Sequence, residues 1–188
     1  MFLNRKIRKD LSHPNSLTLY RIVVIPAIVI LLLSPNKYTT FISAIIFSLA
    51  AITDYLDGFY ARRRGLVSDF GKIMDPIADK LLVSSAFIML TSHGWIQGWI
   101  ACVIIGREIA ITGLRNIVVE KGGDVASSPL GKYKTGFQVG AIIPLLIHYP
   151  LWGINVHAVG SILLWAALVF TVWSGIDYFF RFRRHLYH

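Results

Sequence analysis

Cysteine is almost absent from this chain, and Cys102 is the only one among 188 residues. A single thiol cannot form a disulfide within the chain, and cysteine-based metal sites need several thiols. Histidine is also sparse, and none of the six histidines has another histidine four residues away, the spacing at which a helix presents two zinc ligands. These shortages exclude a disulfide-stapled domain and argue against a histidine-built zinc site.

Charged side chains are scarce as well, at 15% of the residues, whereas 55% are hydrophobic and the mean hydropathy is +0.59. A soluble chain of this size could not bury so much apolar surface. Six apolar stretches stand out, each close to the ~20 residues that cross a bilayer, and none alternates with the period of a barrel strand. We therefore predict an all-α integral membrane protein with six transmembrane helices.

Basic residues outnumber acidic ones by nineteen to ten, which gives a formal net charge of +9. Most of them collect at the N-terminus, after the second and fourth apolar stretches and at the C-terminus: Arg5, Lys6, Arg8, Lys9; Arg62, Arg63, Arg64, Lys72, Lys80; Lys121, Lys132, Lys134; Arg181, Arg183, Arg184. The three opposite connections hold only Lys37. Because cytoplasmic loops are rich in lysine and arginine, both termini are predicted to be cytoplasmic. Topology accounts for the excess charge, so no nucleic-acid partner is expected.

Residues 1–13 combine four basic side chains with Phe2, Leu3, Ile7 and Leu11. This segment is either an amphipathic helix on the membrane surface or a basic tail that only sets the topology. No cleavable signal peptide is predicted, since the first apolar run is long and lacks a small-residue cleavage site. Residues 14–188 are predicted to form one six-helix transmembrane domain.

Four of the ten acidic residues fall in one short window, as Asp54, Asp57, Asp75 and Asp79. Their spacings of three and four residues put each pair on one face of a helix. Since the second and third predicted helices run in opposite directions, both pairs should lie at the same depth, just inside the cytoplasmic boundary. Such a cluster of oxygen ligands favours Mg²⁺ or Mn²⁺, and two ions would suit phosphoryl chemistry. The alternative is that each aspartate is a solvated helix end.

The window reads Asp54-x2-Asp57-Gly58-x2-Ala61-Arg62-x8-Gly71-x3-Asp75-x3-Asp79. This pattern resembles the signature of the CDP-alcohol phosphotransferases at every fixed position. The resemblance implies six transmembrane helices per subunit, usually in a homodimer, and transfer from a CDP-linked lipid to an alcohol with release of CMP. It further implies that the metal ligands are Asp54, Asp57, Asp75 and Asp79, and that Asp79 also acts as the general base. By the same resemblance, the nucleotide is bound by Gly58, Ala61, Arg62 and Gly71. The stretch "PNSLTLYR" is similar to the family's N-terminal nucleotide-facing stretch, which adds Asn15 and Thr18 to the nucleotide site.

Charged residues inside the fourth predicted helix and in the loop expected after it point to the acceptor. Charges within a membrane helix are functional by default, although Arg107 and Glu108 could simply lock two helices together. The segments "GREIAITGLR" and "GKYKT" are similar to the branch of the family that makes phosphatidylglycerophosphate. That resemblance implies CDP-diacylglycerol as donor, sn-glycerol 3-phosphate as acceptor, and binding of the acceptor phosphate by Arg107, Arg115, Lys132, Lys134 and Thr135.

Other functions remain open from sequence alone. Within the family, the acceptor could be phosphatidylglycerol, as in a cardiolipin-synthase-like enzyme, or another alcohol. A membrane prenyltransferase also uses intramembrane aspartates and Mg²⁺ but normally needs more helices, and a carboxylate-lined ion transporter is the non-enzyme alternative. Metal-dependent release of CMP separates the transferase from both. The predicted location is the cell (inner) membrane, with the active site on the cytoplasmic side.

Overall fold

The described part of the chain is helical apart from short connections. The computed structural model describes residues 14–64, 69–120, 129–151 and 153–186, and no strand occurs within those ranges. They form six helices: α1 (Pro14–Leu33), α2 (Lys37–Arg64), α3 (Asp69–Ser92), α4 (Gly98–Glu120), α5 (Pro129–Ile147) and α6 (Val156–Leu186). The all-α prediction is confirmed. The N-terminal segment 1–13 lies outside the described residues.

The chain divides into two compact units, of which the first ends at Met89 and the second begins at Leu90. In the first unit α1 packs against α2, and in the second unit α6 packs against both α4 and α5. The core of α1 is a stripe of Val24, Ile28 and Leu32, spaced four residues apart so that they lie on one helix face. In the second unit, therefore, α6 is the element on which two other helices rest.

Asparagine side chains cap two of the helices. At the start of α2, Asn36 Oδ1 accepts the backbone N–H groups of Tyr38 and Thr39 at 2.9 and 3.1 Å. At the start of α6, Asn155 Oδ1 accepts the N–H of Ala158 at 3.1 Å. The first N–H groups of a helix have no partner within the helix, and a capping side chain stabilises it by about 1 kcal/mol. These caps fix where both helices begin.

Large apolar side chains are exposed on every helix, and Val23, Ile52, Ile109 and Ile162 are each more than half exposed. Where side chains are described, one helical segment, Val156–Arg181, is long and apolar enough to cross a membrane, with a mean hydropathy of 1.9. Three shorter helical segments are also apolar: Tyr20–Leu33, Lys37–Thr53 and Tyr133–Ile147. A helix that is apolar on its outer face as well as its inner face is typical of a membrane environment.

Five of the basic residues expected in cytoplasmic loops lie instead within helices, so that detail of the prediction is wrong for them. Arg62, Arg63 and Arg64 form the end of α2, and Lys132 and Lys134 belong to α5. The α5 helix starts at Pro129, and proline is favoured at a first helical position because its missing N–H has no partner there anyway. These basic residues therefore belong to helical turns beyond the apolar segments and not to the loops that connect the helices.

The helices α5 and α6 approach closely at Gly160, which is buried. A Cβ atom there would lie 2.7 Å from Leu145 Cγ and 3.0 Å from the Leu145 backbone nitrogen. Only glycine fits without moving the α5 backbone, because it has no Cβ. Gly160 thus sets the distance between the two helices.

Three histidines and a tryptophan meet in the second unit, around the connection between α5 and α6. The ring of His148 stacks on the ring of Trp95, with centroids 4.1 Å apart. The ring of His157 also packs edge-on against His148, and its Nε2 lies 3.1 Å from the Trp95 carbonyl oxygen. His148 lies outside both helices, at a φ of 58°. Burial lowers the pKa of His148, and the charges of His157 and His93 lower it further. The cluster therefore favours a neutral His148.

Candidate active site

The four aspartates lie in two helices of the first unit. The backbone is continuously helical through Asp54 and Asp57 on α2 and through Asp75 and Asp79 on α3, so the spacings of three and four residues are helical spacings as predicted. The side chains of the first three lie outside the described part of the structure, whereas Asp79 is half-buried on α3 beside the buried Ala78.

The donor set available for a metal is chemically uniform. All four candidate ligands are carboxylates, and hard divalent cations such as Mg²⁺ and Mn²⁺ prefer oxygen ligands. Among the residues with described side chains, no three of histidine, cysteine, aspartate and glutamate come together as a metal site, and three of the four predicted ligands lie outside that set. The donor chemistry fits a divalent ion, and the ligand geometry stays a prediction.

The predicted nucleotide-binding residues fall on three helices of the first unit. Asn15 and Thr18 lie in the first turns of α1, Gly58 and Ala61 in the last turns of α2, next to Arg62, and Gly71 in the first turn of α3. Their side chains lie outside the described part of the structure. Their grouping around the nucleotide stays a prediction.

The carboxylate of Glu108, on α4, is shared by two cations. Lys134 Nζ, from α5, donates a hydrogen bond to Glu108 Oε1, and Arg107 Nη1 donates to the same oxygen at 3.3 Å. All three side chains are largely buried, at 7–16% exposure. The structure thus brings together two of the predicted acceptor-binding residues, and Glu108 is the group that joins them.

The second guanidinium nitrogen of Arg107 is held by α6. Arg107 Nη2 donates to Ser174 Oγ at 3.1 Å, and the Ser174 hydroxyl donates its own proton to the Phe170 carbonyl at 2.6 Å. The neighbouring Gly175 lies beneath the Arg107 side chain, where a Cβ would come within 3.3 Å of Arg107 Cγ. Ser174 and Gly175 therefore determine the path of Arg107 across α6.

One turn earlier along α6, a second polar contact joins α6 to α5. Gln138 Nε2 donates to Thr171 Oγ1 at 3.2 Å, and both side chains are fully enclosed. A buried amide or hydroxyl without a partner would cost about 1–3 kcal/mol, so this pair stabilises the packing of α5 on α6. Polar groups of both α4 and α5 are thus satisfied by one face of α6.

The other predicted acceptor-site residues are placed differently. Arg115 is exposed on α4, eight residues beyond Arg107, or about 12 Å along the helix axis. The Thr135 hydroxyl donates to the Gly131 carbonyl of its own helix at 3.2 Å. Lys132 belongs to α5, and its side chain lies outside the described part of the structure. The described contacts therefore group Arg107 with Lys134 and leave Arg115 at the surface.

The trio of Arg107, Lys134 and Glu108 carries a net charge of +1, because two cations share one carboxylate. Buried charges are stable only when they are paired and hydrogen-bonded. A planar guanidinium beside an ammonium is well suited to a phosphate, which can accept several charge-assisted hydrogen bonds. The cluster can therefore bind an anion while Glu108 keeps the two cations together.

Sequence reasoning missed the contribution of α6. Thr171, Ser174, Gly175 and Tyr178 follow the spacing i, i+3, i+4, i+7 within an otherwise apolar helix, which places them on one face. Thr171, Ser174 and Tyr178 are all buried, whereas Trp173 beside them is exposed. Small and hydroxyl-bearing residues at helical spacing were the signal that could have found this face.

Comparison with known proteins identifies the family. The profile of the family described as CDP-alcohol phosphatidyltransferase matches residues 11–173. Similar proteins named CDP-diacylglycerol–glycerol-3-phosphate 3-phosphatidyltransferase occur in Bacillus subtilis, at 41% identity over 88% of this chain and 92% of the relative, and in Rickettsia prowazekii, at 40% over 92% and 96%. The relative of that name in Salmonella choleraesuis is 40% identical over 88% of this chain and 91% of its own length. The resemblance in the aspartate pattern is thereby confirmed, and this chain belongs to the membrane-bound CDP-alcohol phosphatidyltransferase family.

Proposed function

We propose that the chain transfers a phosphatidyl group from CDP-diacylglycerol to sn-glycerol 3-phosphate, which gives phosphatidylglycerophosphate and CMP. The observation that carries this assignment is the shared name of its relatives, which are 40–41% identical over most of both chains. The buried cations at Glu108 support the acceptor, because glycerol 3-phosphate is an alcohol that brings its own phosphate. The protein is therefore a phosphatidyltransferase of phospholipid synthesis.

The reaction needs a base for the acceptor and a site for the diphosphate. Asp79 takes the proton of the acceptor hydroxyl, whose oxygen then forms a bond to the phosphorus that carries the lipid. The bond from that phosphorus to the CMP oxygen breaks, and no covalent intermediate on the protein is required. Asp54, Asp57 and Asp75, with Asp79, would hold divalent cations, on which the family generally depends.

A bound Mg²⁺ or Mn²⁺ pair would neutralise the diphosphate and make CMP a better leaving group. Gly58, Ala61, Arg62 and Gly71 are assigned to the nucleotide, together with Asn15 and Thr18 on α1. Arg107 and Lys134, with Arg115, Lys132 and Thr135, orient the acceptor through its phosphate. These assignments rest on the motif, and in the case of Arg107 and Lys134 they are supported by their contact with one carboxylate.

The placement in the membrane follows from helix length and charge. The six helices contain 19 to 31 residues, which corresponds to about 28–46 Å against a hydrocarbon layer of about 30 Å. Their exposed apolar side chains and the asymmetry of lysine and arginine support six spans in the inner membrane with both termini and the active site on the cytoplasmic side. A homodimer is proposed from the family resemblance.

A panel of acceptors tests the function. Purified protein with CDP-diacylglycerol and Mg²⁺ or Mn²⁺ should release CMP when sn-glycerol 3-phosphate is added, and should not do so with glycerol or inositol phosphate. Release of CMP with phosphatidylglycerol instead would establish the cardiolipin-synthase-like alternative. Transport without any CMP release, or full activity with a chelator present, would contradict the metal-dependent transferase.

Charge removal tests the acceptor site. Arg115→Ala and Lys134→Ala should each raise the KM for glycerol 3-phosphate by about ten- to a thousandfold, at about 1.4 kcal/mol per tenfold. The KM for CDP-diacylglycerol should change much less. The matched control is Lys37→Ala, which removes an exposed cation at the start of α2. Equal increases in both constants would show that these cations do not bind an acceptor phosphate.

A further inference from the structure

Two hydrogen-bonding groups where α4 meets the polar face of α6, one from each helix, have no hydrogen-bond partner in the described part of the chain. The Tyr178 hydroxyl and Arg107 Nε are both buried and have no hydrogen-bond partner among the described residues. Tyr178 is only 5% exposed, and an unsatisfied buried hydroxyl destabilises a fold by about 1–3 kcal/mol. Buried donors of this kind need a partner, and a bound ligand can supply one.

These two groups belong to the same corner of the second unit. Tyr178 lies one helical turn after Ser174, whose hydroxyl accepts from Arg107 Nη2 at 3.1 Å. Residues four apart on a helix are neighbours on its surface, so Tyr178 lies on the same face of α6 as the hydroxyl that holds Arg107. With Nη1 on Glu108 and Nη2 on Ser174, Nε is the one guanidinium nitrogen that has no partner among the described residues.

We propose that α6 forms one wall of the acceptor site: Ser174 and Gly175 position the Arg107 guanidinium, and the Tyr178 hydroxyl and Arg107 Nε–H donate to the phosphate of the acceptor. Two buried donors suit a phosphate, which offers several acceptor oxygens. The inference rests on the proposed function, because it assigns the ligand of the same site. It adds to the phosphate-binding residues a wall on α6 that belongs to neither the aspartate motif nor the "GKYKT" segment.

Ser174 and Gly175 act through Arg107, and so they are positioning residues. Ser174→Ala would release one side of the guanidinium, and Gly175→Ala would place a Cβ 3.3 Å from Arg107 Cγ, so that the side chain must shift by about a few tenths of an ångström. Tyr178→Phe removes a single oxygen and leaves the ring packed. Thr171→Val is the matched control, since it breaks a buried hydrogen bond on the same helix, to Gln138, that does not involve Arg107.

The test is steady-state kinetics of the full chain with CDP-diacylglycerol and glycerol 3-phosphate. Tyr178→Phe and Gly175→Ala should raise the KM for glycerol 3-phosphate at least tenfold, while the KM for CDP-diacylglycerol stays within about twofold. Thr171→Val should lower the unfolding temperature without a selective change in either KM. Wild-type protein that releases no CMP with glycerol 3-phosphate would overturn the proposed function itself.

A working wild type with unchanged acceptor KM in Tyr178→Phe would overturn only the present inference. A double-mutant cycle separates positioning from general structural damage. In an Arg107→Lys background, which lacks the Nε and Nη2 donors, Ser174→Ala should add no further increase in the acceptor KM. An additive increase would show that Ser174 does not act through Arg107.

Discussion

Replacing Glu108 with glutamine should markedly lower the unfolding temperature of the protein, because two buried cations share the Glu108 carboxylate. Glutamine keeps the shape of the side chain but removes its charge, so the net charge of the trio rises from +1 to +2. Loss of one partner from a buried ion pair costs about 3–5 kcal/mol. Since 1 kcal/mol corresponds to about 2–4 °C in a chain of this size, Glu108→Gln should lower the unfolding temperature by about 6–20 °C.

Thermal unfolding followed by tryptophan fluorescence in detergent measures this shift, and two further variants make it specific. Asp177→Asn removes the acid of an ion pair with Arg181, whose side chain is 55% exposed, and should cost less than about 1 kcal/mol. In the double variant Glu108→Gln with Lys134→Gln the net charge returns to +1, so part of the lost stability should return while turnover stays low. A single variant that unfolds within 2 °C of the wild type, or a double variant less stable than the single one, would refute the buried-charge explanation.

Three other substitutions give separate tests. Gly160→Ala should destabilise the packing of α5 on α6 by about 1–3 kcal/mol, because its Cβ would meet the Leu145 backbone. The control Gly136→Ala should be neutral or stabilising, because no atom lies within 4 Å of a Cβ built there. Equal unfolding temperatures for the two variants would contradict the close approach of the helices at Gly160. Because the folded state lowers the pKa of His148 below its usual 6.5, stability should be complete above pH 6.5 and fall as the pH drops through the folded-state pKa. His148→Asn, which tolerates the positive φ, should flatten that dependence in unfolding temperatures measured from pH 7.5 to 5.5, and an unchanged slope would remove His148 as its source. Asp79→Asn should reduce CMP release by about a hundredfold or more while binding of a fluorescent CDP-lipid survives, and near-normal turnover would remove Asp79 from the base role.

The helices could be predicted from sequence because their signals are local. Apolar runs near twenty residues, broken by Pro35, Gly94 and Pro150, correspond to helices whose ends are fixed by nearby caps and turns. The ends themselves were harder to place. Basic residues such as Lys132 and Lys134 gave no apolar signal, yet they continue a helix because lysine is a good helix former. Hydropathy shows where an apolar segment begins, and the helical backbone can begin several residues earlier.

The candidate site divides in the same way. Arg107 and Lys134 can be predicted because a charge in an apolar setting is conspicuous in a sequence, whereas the sequence indicates Glu108 only as part of a possible lock between helices. The contact with Ser174 depends on how α4 crosses α6, sixty-seven residues apart in sequence, and no local pattern encodes that crossing. The meeting of His148 and Trp95 is non-local for the same reason.

The short connection between α5 and α6 bears on how the chain enters a membrane during synthesis. Alone, α5 would carry the Gln138 amide into the lipid without a partner, and an amide without a hydrogen bond in hydrocarbon costs about 4–8 kcal/mol. Paired with α6, the amide of Gln138 meets the Thr171 hydroxyl, and the apolar Val156–Arg181 segment supplies the favourable transfer energy. The two helices are thus suited to insert into the membrane together as one hairpin, in which the favourable transfer of the more apolar α6 offsets the cost of inserting α5.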